Sequence, residues 1–181
     1  CALRWLELKP DTANGYREHS GIFKSSDMGI TWKNISGDLK GAVITAFASY
    51  DTTCYIGGNK KLYKTSTNSE NLQDIFANLN AGTSAYVNDL QALSKDELYV
   101  ITTTSGAFSS VNGGATFTKF DIPGITGGQD LAKLDNSTLI LTGTSGKSRV
   151  SRDAGVTWED AKLAVAIWEV GGIFGDSLYV L

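Results

Sequence analysis

The sequence predicts an all-β chain, a β-propeller of four-stranded antiparallel blades, and three observations carry that expectation. Twenty glycines against two prolines in 181 residues, with no helical periodicity longer than about two turns, mark short strands joined by tight turns. The segment Ser25-Ser26-Asp27-Met28-Gly29-Ile30-Thr31-Trp32 returns as Ser151-Arg152-Asp153-Ala154-Gly155-Val156-Thr157-Trp158, identical at Ser, Asp, Gly, Thr and Trp. A weaker copy, Ser110-Val111-Asn112-Gly113-Gly114-Ala115-Thr116-Phe117, and a decayed one, Thr65 to Leu72, complete a series whose starts lie 40, 45 and 41 residues apart. Four short strands per roughly 40 to 45 residues is the repeat length of a propeller blade.

The strands follow in order within each repeat. The first type lies at 46–48, 90–93, 131–134 and 170–173. The second is Cys54-Tyr55-Ile56, Leu98-Tyr99-Val100, Leu139-Ile140-Leu141 and Leu178-Tyr179-Val180, following polar turns such as Lys95-Asp96-Glu97 and Asp135-Asn136-Ser137. A third carries Lys64, Phe108 or Val150, and Trp32, Phe117 and Trp158 open a fourth. The repeated segment then falls in the turn between third and fourth strands. There the Asp carboxylate accepts backbone N–H bonds, the Gly permits positive φ, the Thr adds a local hydrogen bond and the Trp anchors the turn. Residues 1–20 form a poorly matched N-terminal segment, and 21–181 hold the repeats.

Charge and composition exclude several functions. Sixteen basic against nineteen acidic residues give a net charge of -3 without a basic run, so no nucleic-acid partner is expected. No stretch approaches the roughly 18 apolar residues of a transmembrane segment. Two cysteines, Cys1 and Cys54, and one histidine, His19, leave no close ligand pair for zinc, and any Ser-His-Asp scheme must use His19. No metal and no cofactor is expected.

On these residues the repeat resembles the Asp box, or BNR repeat, of sialidases, xyloglucanase-type glycoside hydrolases, sortilin-type receptors and photosystem assembly factors. The resemblance runs from about Gly21 to Leu181. It implies that the boxes are structural turns remote from the ligand face. Ser25, Asp27, Gly29, Thr31, Trp32, Ser151, Asp153, Gly155, Thr157 and Trp158 are then fold residues, and no catalytic residue is assigned. It also implies a ring of six to eight blades. Two arrangements follow: the last two strands complete the blade begun by residues 21–35 and four blades close, or the chain is an arc of a larger ring. The stop in mid-blade favours the arc.

In such a propeller the top face is built from the loops leading into each innermost strand and from the hairpins joining second and third strands. Ten residues before each central second-strand residue stand Thr45, Asp89, Asp130 and Glu169. Acids converging near the channel mouth raise one another's pKa, recruit a cation, or form an acid and base pair for glycoside hydrolysis. They also fit a structural role, tying down the backbone of the neighbouring blade. Asn59, Lys60 and Lys61 in one hairpin, Ser145 to Lys147 in another, and Tyr86 and Trp168 as flat platforms for a sugar ring or peptide side chain complete the candidate ligand site.

A sialidase, by the same resemblance, needs an arginine triad, a Tyr with a Glu partner and an Asp acid. Only Arg4, Arg17, Arg149 and Arg152 exist here, Arg152 lies inside a box, and no Phe-Arg-Ile-Pro segment occurs. A xyloglucanase needs opposed Asp residues from two propellers. The expected function is therefore a non-catalytic binding module for a protein or glycan ligand, exported or at the cell surface. The alternatives are a fragment of a glycoside hydrolase and a structural subunit that pairs strands with another chain. Bacterial lipoproteins begin, after processing, with a lipid-modified cysteine, and Cys1 suits such an anchor. Asn34-Ile35-Ser36 and Asn136-Ser137-Thr138 match glycosylation acceptors.

Overall fold

A computed structural model describes residues 10–11, 15–16, 22–36, 43–69, 71–82, 84–144, 146–163, 170–174 and 177–180. Its strands are β1 Pro10–Asp11, β2 Gly15–Tyr16, β3 Phe23–Lys24, β4 Lys33–Asn34, β5 Ile44–Tyr50, β6 Thr53–Gly58, β7 Lys61–Ser66, β8 Gln73–Asp74 and β9 Val87–Ala92. They continue as β10 Leu98–Thr102, β11 Gly106–Ser110, β12 Thr118–Lys119, β13 Gly128–Lys133, β14 Leu139–Gly143, β15 Ser148–Ser151, β16 Glu159–Asp160, β17 Val170–Phe174 and β18 Ser177–Val180.

Three sheets are four-stranded antiparallel meanders, β5 to β8, β9 to β12 and β13 to β16, each in sequence order. The pairs β1–β2, β3–β4 and β17–β18 are separate two-stranded ladders. The first strands of successive sheets pack side by side, β5 against β9, β9 against β13 and β13 against β17. Sheets that stand next to one another along their innermost strands, each covering its neighbour, form a β-propeller.

Burial explains the sequence pattern. Every residue of β10 and of β14 is buried, because the middle strands have a blade on each side, and they are apolar except for Thr102 and Thr142. The outermost strands β8, β12 and β16 are two residues long and exposed. One core joins Ala46, Ala48, Tyr55 and Leu79 to Val87, Leu90, Leu98, Val100 and Phe108. The next joins Tyr99, Ile101, Ala107 and Phe120 to Leu131, Leu139, Leu141 and Trp158. Ile22 and Ile35, flanking β3–β4, pack on Ile56 and Tyr63 of the β5–β8 sheet. Blades approach closely where a large residue meets a glycine. A Cβ on Gly57 would stand 2.3 Å from Val87 Cγ1, and one on Gly128 2.4 Å from Ile101 Cγ2.

The repeated turn joins third and fourth strands as expected. In the fourth copy Ser151 Oγ donates to Asp153 Oδ1 (2.8 Å), and the Gly155 N–H donates back to Ser151 Oγ (2.8 Å). The Thr157 N–H and hydroxyl take the two Asp153 oxygens (2.8 and 2.6 Å), and the Trp158 indole donates to the Gly155 carbonyl (3.1 Å). The first copy repeats these bonds at Ser25, Asp27, Gly29, Thr31 and Trp32. In the third, Asn112 Oδ1 accepts from Ser110 and the Thr116 N–H (both 2.9 Å), while its amide donates to Thr116 Oγ1 (2.8 Å). Gly29, Gly114 and Gly155 have φ of 93°, 86° and 91°, the left-handed region where a Cβ is strained. The decayed second copy makes no such set, and its Thr65 Oγ1 is buried without a partner.

Each turn leans on its own blade and on the preceding one. The N–H groups of Thr67, Gly113 and Ala154 donate to Thr52, Asp96 and Ser137 in the turn between the first two strands (2.7, 2.8 and 2.7 Å). Those turns therefore share the bottom of the molecule, opposite the hairpins Gly58–Lys61, Thr102–Gly106 and Gly143–Ser148. Across blades, Lys24 Nζ donates to the Thr67 carbonyl and Lys64 Nζ to that of Gly113 (2.8 Å for the second).

Candidate functional site

The top face is knitted by the backbone. The N–H groups of Asn59, Thr103 and Thr144, at the same place in three hairpins, donate to the Val43, Tyr86 and Gly127 carbonyls that lead into the innermost strands (3.1, 3.0 and 3.0 Å). Lys60 N–H donates to Ala85 (3.1 Å), and Asn59 and Tyr86 form an antiparallel bridge between two blades. Asn59, Lys60 and Tyr86 thus share one patch, with Lys60 in a left-handed turn (φ 53°) and its side chain and the Tyr86 ring exposed. Asn59 Oδ1 is buried there without a hydrogen-bond partner. Lys147 is exposed on the Gly143–Ser148 hairpin, two blades away. Trp168 and Glu169 lie outside the described residues, as do Cys1 and His19.

Below this patch, inside the strands, Asp89 and Asp130 meet. Burial pushes the Asp89 carboxyl up to about 7, and the adjoining Asp130 adds a hydrogen bond and a like charge in the same direction. The N–H groups of Leu90 and Leu131 pull the other way without prevailing. Asp130 Oδ1 accepts from the Leu131 N–H at 2.7 Å. Asp89 Oδ2 has no partner among fixed donors, and a proton held between the two carboxyls supplies one.

Strand pairing revises the positional match between repeats. Asp89 pairs with Ile101 and Asp130 with Thr142, and the residue in that place on β5 is Ala46, which pairs with Gly57. The turn between β5 and β6 is one residue shorter than its counterparts, so counting back from the second strand lands on Thr45. Thr45, Asn88 and Gln129 instead occupy a bulge that recurs in all three blades. From it Thr45 Oγ1 donates to the Val87 carbonyl and the Asn88 amide to that of Gln129 (2.9 Å for the second), while Gln91 reaches the Leu131 carbonyl. These uncharged side chains tie one blade to the next. The polar residue at the same offset in each repeat was their only trace in the sequence.

Among the described residues no group of three or more His, Cys, Asp or Glu side chains is placed to hold a metal ion. Among the described residues no helix is long and apolar enough to cross a membrane. Cys54 is buried, and that burial pushes its thiol pKa up, which leaves it unreactive.

No protein-family model matches the chain, and no curated protein matches it. Solved structures do. One described as YCF48 bound to D1 peptide is 14% identical over 70% of this chain and 42% of its own, with a TM-score of 0.60. The computationally designed Ika4 protein is 13% identical over 78% of this chain and 91% of its own (TM-score 0.59). A GH74 enzyme from Niastella koreensis is 15% identical over 83% of this chain and 28% of its own (TM-score 0.61). The chain thus spans well under half the length of the first and third. At these identities the likeness shows the fold alone, and it agrees with the sheet order in defining a β-propeller. Its neighbours in that fold include both a peptide-bound protein and a glycoside hydrolase.

Proposed function

We propose that the chain is the propeller part of a non-catalytic binding module whose top face takes an extended protein segment at Tyr86, Asn59 and Lys60. The carrying observation is an exposed aromatic ring beside the exposed Lys60 side chain at one inter-blade bridge. A ring that stays exposed offers apolar contact, and the Lys60 ammonium offers a donor for a backbone carbonyl of the ligand. Likeness in fold to a peptide-bound propeller is in keeping with a peptide ligand. Panning a random peptide library on the wild-type chain, then measuring the selected peptide against Tyr86→Ala, tests this. The reading expects affinity to fall at least about tenfold, and unchanged affinity overturns it.

On the same reading the repeated turns are Asp boxes of the BNR type, with a structural role, and the protein is exported or held at the cell surface. Fractionation of its own cells tests the location, which requires the protein outside the cytoplasmic fraction.

Glycoside hydrolysis is the second reading, favoured by one observation, the proton that Asp89 keeps near neutrality as a general acid must. Hydrolytic carboxyl pairs stand about 5 to 9.5 Å apart, with room for sugar or water between them. Asp89 and Asp130 are in hydrogen-bond contact, so the second carboxylate of an enzyme has to come from elsewhere. A panel of fluorogenic glycosides decides, because this reading requires turnover that Asp89→Asn abolishes.

A further inference from the structure

Lys147 and Arg149 stand two residues apart at the start of β15, so both side chains leave the same face of the strand. In front of them lies the turn from Ile122 to Ile125, closed by the Ile125 N–H on the Ile122 carbonyl at 3.2 Å. Pro123 and Gly124 form its corner, and Gly124 has φ of 74°, the left-handed region that the third position of a type II turn requires. The turn leads from β12 into β13, so it belongs to the top face together with the Gly143–Ser148 hairpin.

The guanidinium is fixed by three acceptors. Arg149 Nε donates to the Pro123 carbonyl (3.1 Å), and Nη1 donates to the Ser148 carbonyl (3.0 Å) and to Asp160 Oδ2 (3.3 Å). The Arg149 side chain is 15% exposed, so it is held within this frame. Nη2 is the nitrogen left over. A Cβ on Gly124 would stand 3.4 Å from it and 3.7 Å from Lys147 Nζ. Both nitrogens therefore converge on the space that a side chain at 124 would take, and glycine leaves that space open. Among the described residues neither nitrogen has a hydrogen-bond or ion-pair partner.

Two fixed donors without an acceptor fit an anion, and their geometry selects its kind. A carboxylate is read best by two parallel N–H groups along one guanidinium edge. Each edge of Arg149 that includes Nη2 has its other nitrogen engaged, so neither offers a free pair. A phosphate group suits what remains. Its tetrahedral oxygens take one bond from Nη2 and another from the Lys147 ammonium, a point charge on a flexible stem. We propose that Gly124, Lys147 and Arg149 form a binding site for a phosphate group on the top face, separate from the patch at Tyr86 and Lys60. Gly124 and Lys147 are exposed, so the group reaches the gap from solvent, either as free phosphate or as an ester. The site does not depend on the peptide reading.

Titration with inorganic phosphate at constant ionic strength, followed through the amide shifts of the isotope-labelled chain, tests it. The Gly124, Lys147 and Arg149 amides are expected to shift together and to saturate. Lys147→Gln removes one donor and is expected to weaken binding at least about tenfold. Gly124→Asn keeps both cations and accepts the positive φ, but it fills the gap, and is expected to weaken binding as much. A phosphoserine peptide titrated in the same way separates the sources: tighter binding than inorganic phosphate assigns an ester, weaker binding the free anion. Shifts that do not saturate, acetate bound as tightly as phosphate, or an affinity unchanged in either variant overturns the proposal.

Discussion

Asp27 and Asp153 hold their turns as ionised groups. The hydroxyl of Thr31, then its N–H and the Ser25 hydroxyl, holds the Asp27 carboxyl down at about 2, and Thr157 and Ser151 lower Asp153 in the same way. A lowered folded-state pKa gives stability that is present above the ordinary value of 3.8 and lost as pH falls towards about 2. Asn112 makes the same turn without a titrating group. The double variant Asp27→Asn, Asp153→Asn is therefore expected to fold and to lose less of its melting temperature between pH 4 and 2 than the wild type, checked by thermal unfolding against pH. Asp89 has the opposite sign. Its folded pKa is raised to about 7, so the stability it gives is complete below 3.8 and lost as pH rises through about 7. Asp89→Asn is expected to raise stability at pH 8 by about 1–3 kcal/mol, removing a buried oxygen that only a proton satisfies, and to change little at pH 4. The two effects together place the stability optimum between about pH 4 and 6.

Strands and turns were the most legible part of the sequence, and their registers the least. Five identities at fixed offsets located each well-kept turn, since Ser, Asp, Gly, Thr and Trp all bond within the turn itself. Apolar triplets following polar turns located the buried middle strands. The match of Thr45 to Asp89 failed because it depends on a turn one residue shorter, and a one-residue slip moves a side chain to the opposite face. The Asp89–Asp130 contact was legible only as a convergence of acids, because the shared proton depends on burial between blades, which no local pattern reports. Nothing in the sequence singles out Gly57 and Gly128, and both prove to be points of close approach between blades. Gly128→Ala sets a Cβ 2.4 Å from Ile101 Cγ2 and is expected to cost about 1–3 kcal/mol in chemical denaturation, and Ile101→Ala, which removes that methyl, is expected to cost less in this background than in the wild type.

As a whole the molecule is an arc of blades held by side chains that cross from one blade to the next: Thr45, Asn88 and Gln91 near the axis, Lys24 and Lys64 at the bottom. Lys133 adds an ion pair to Glu97 at 2.6 Å between the β9–β12 and β13–β16 sheets. Such a frame fixes the top loops, and the exposed ring of Tyr86 stands among them beside the exposed Lys60. Composition offered only an expectation here, since a single histidine narrows the nucleophile schemes a chain can build. The sequence set Asn59, Lys60 and Tyr86 on top-face loops, and the inter-blade bridge brings them together. The most direct test is a paired titration of a library-selected peptide against Tyr86→Ala and Asp89→Asn, with fluorogenic glycosides assayed on the same samples. The account predicts peptide affinity lost in Tyr86→Ala, retained in Asp89→Asn, and no turnover in either or in the wild type. Wild-type turnover that disappears in Asp89→Asn and survives in Tyr86→Ala contradicts it.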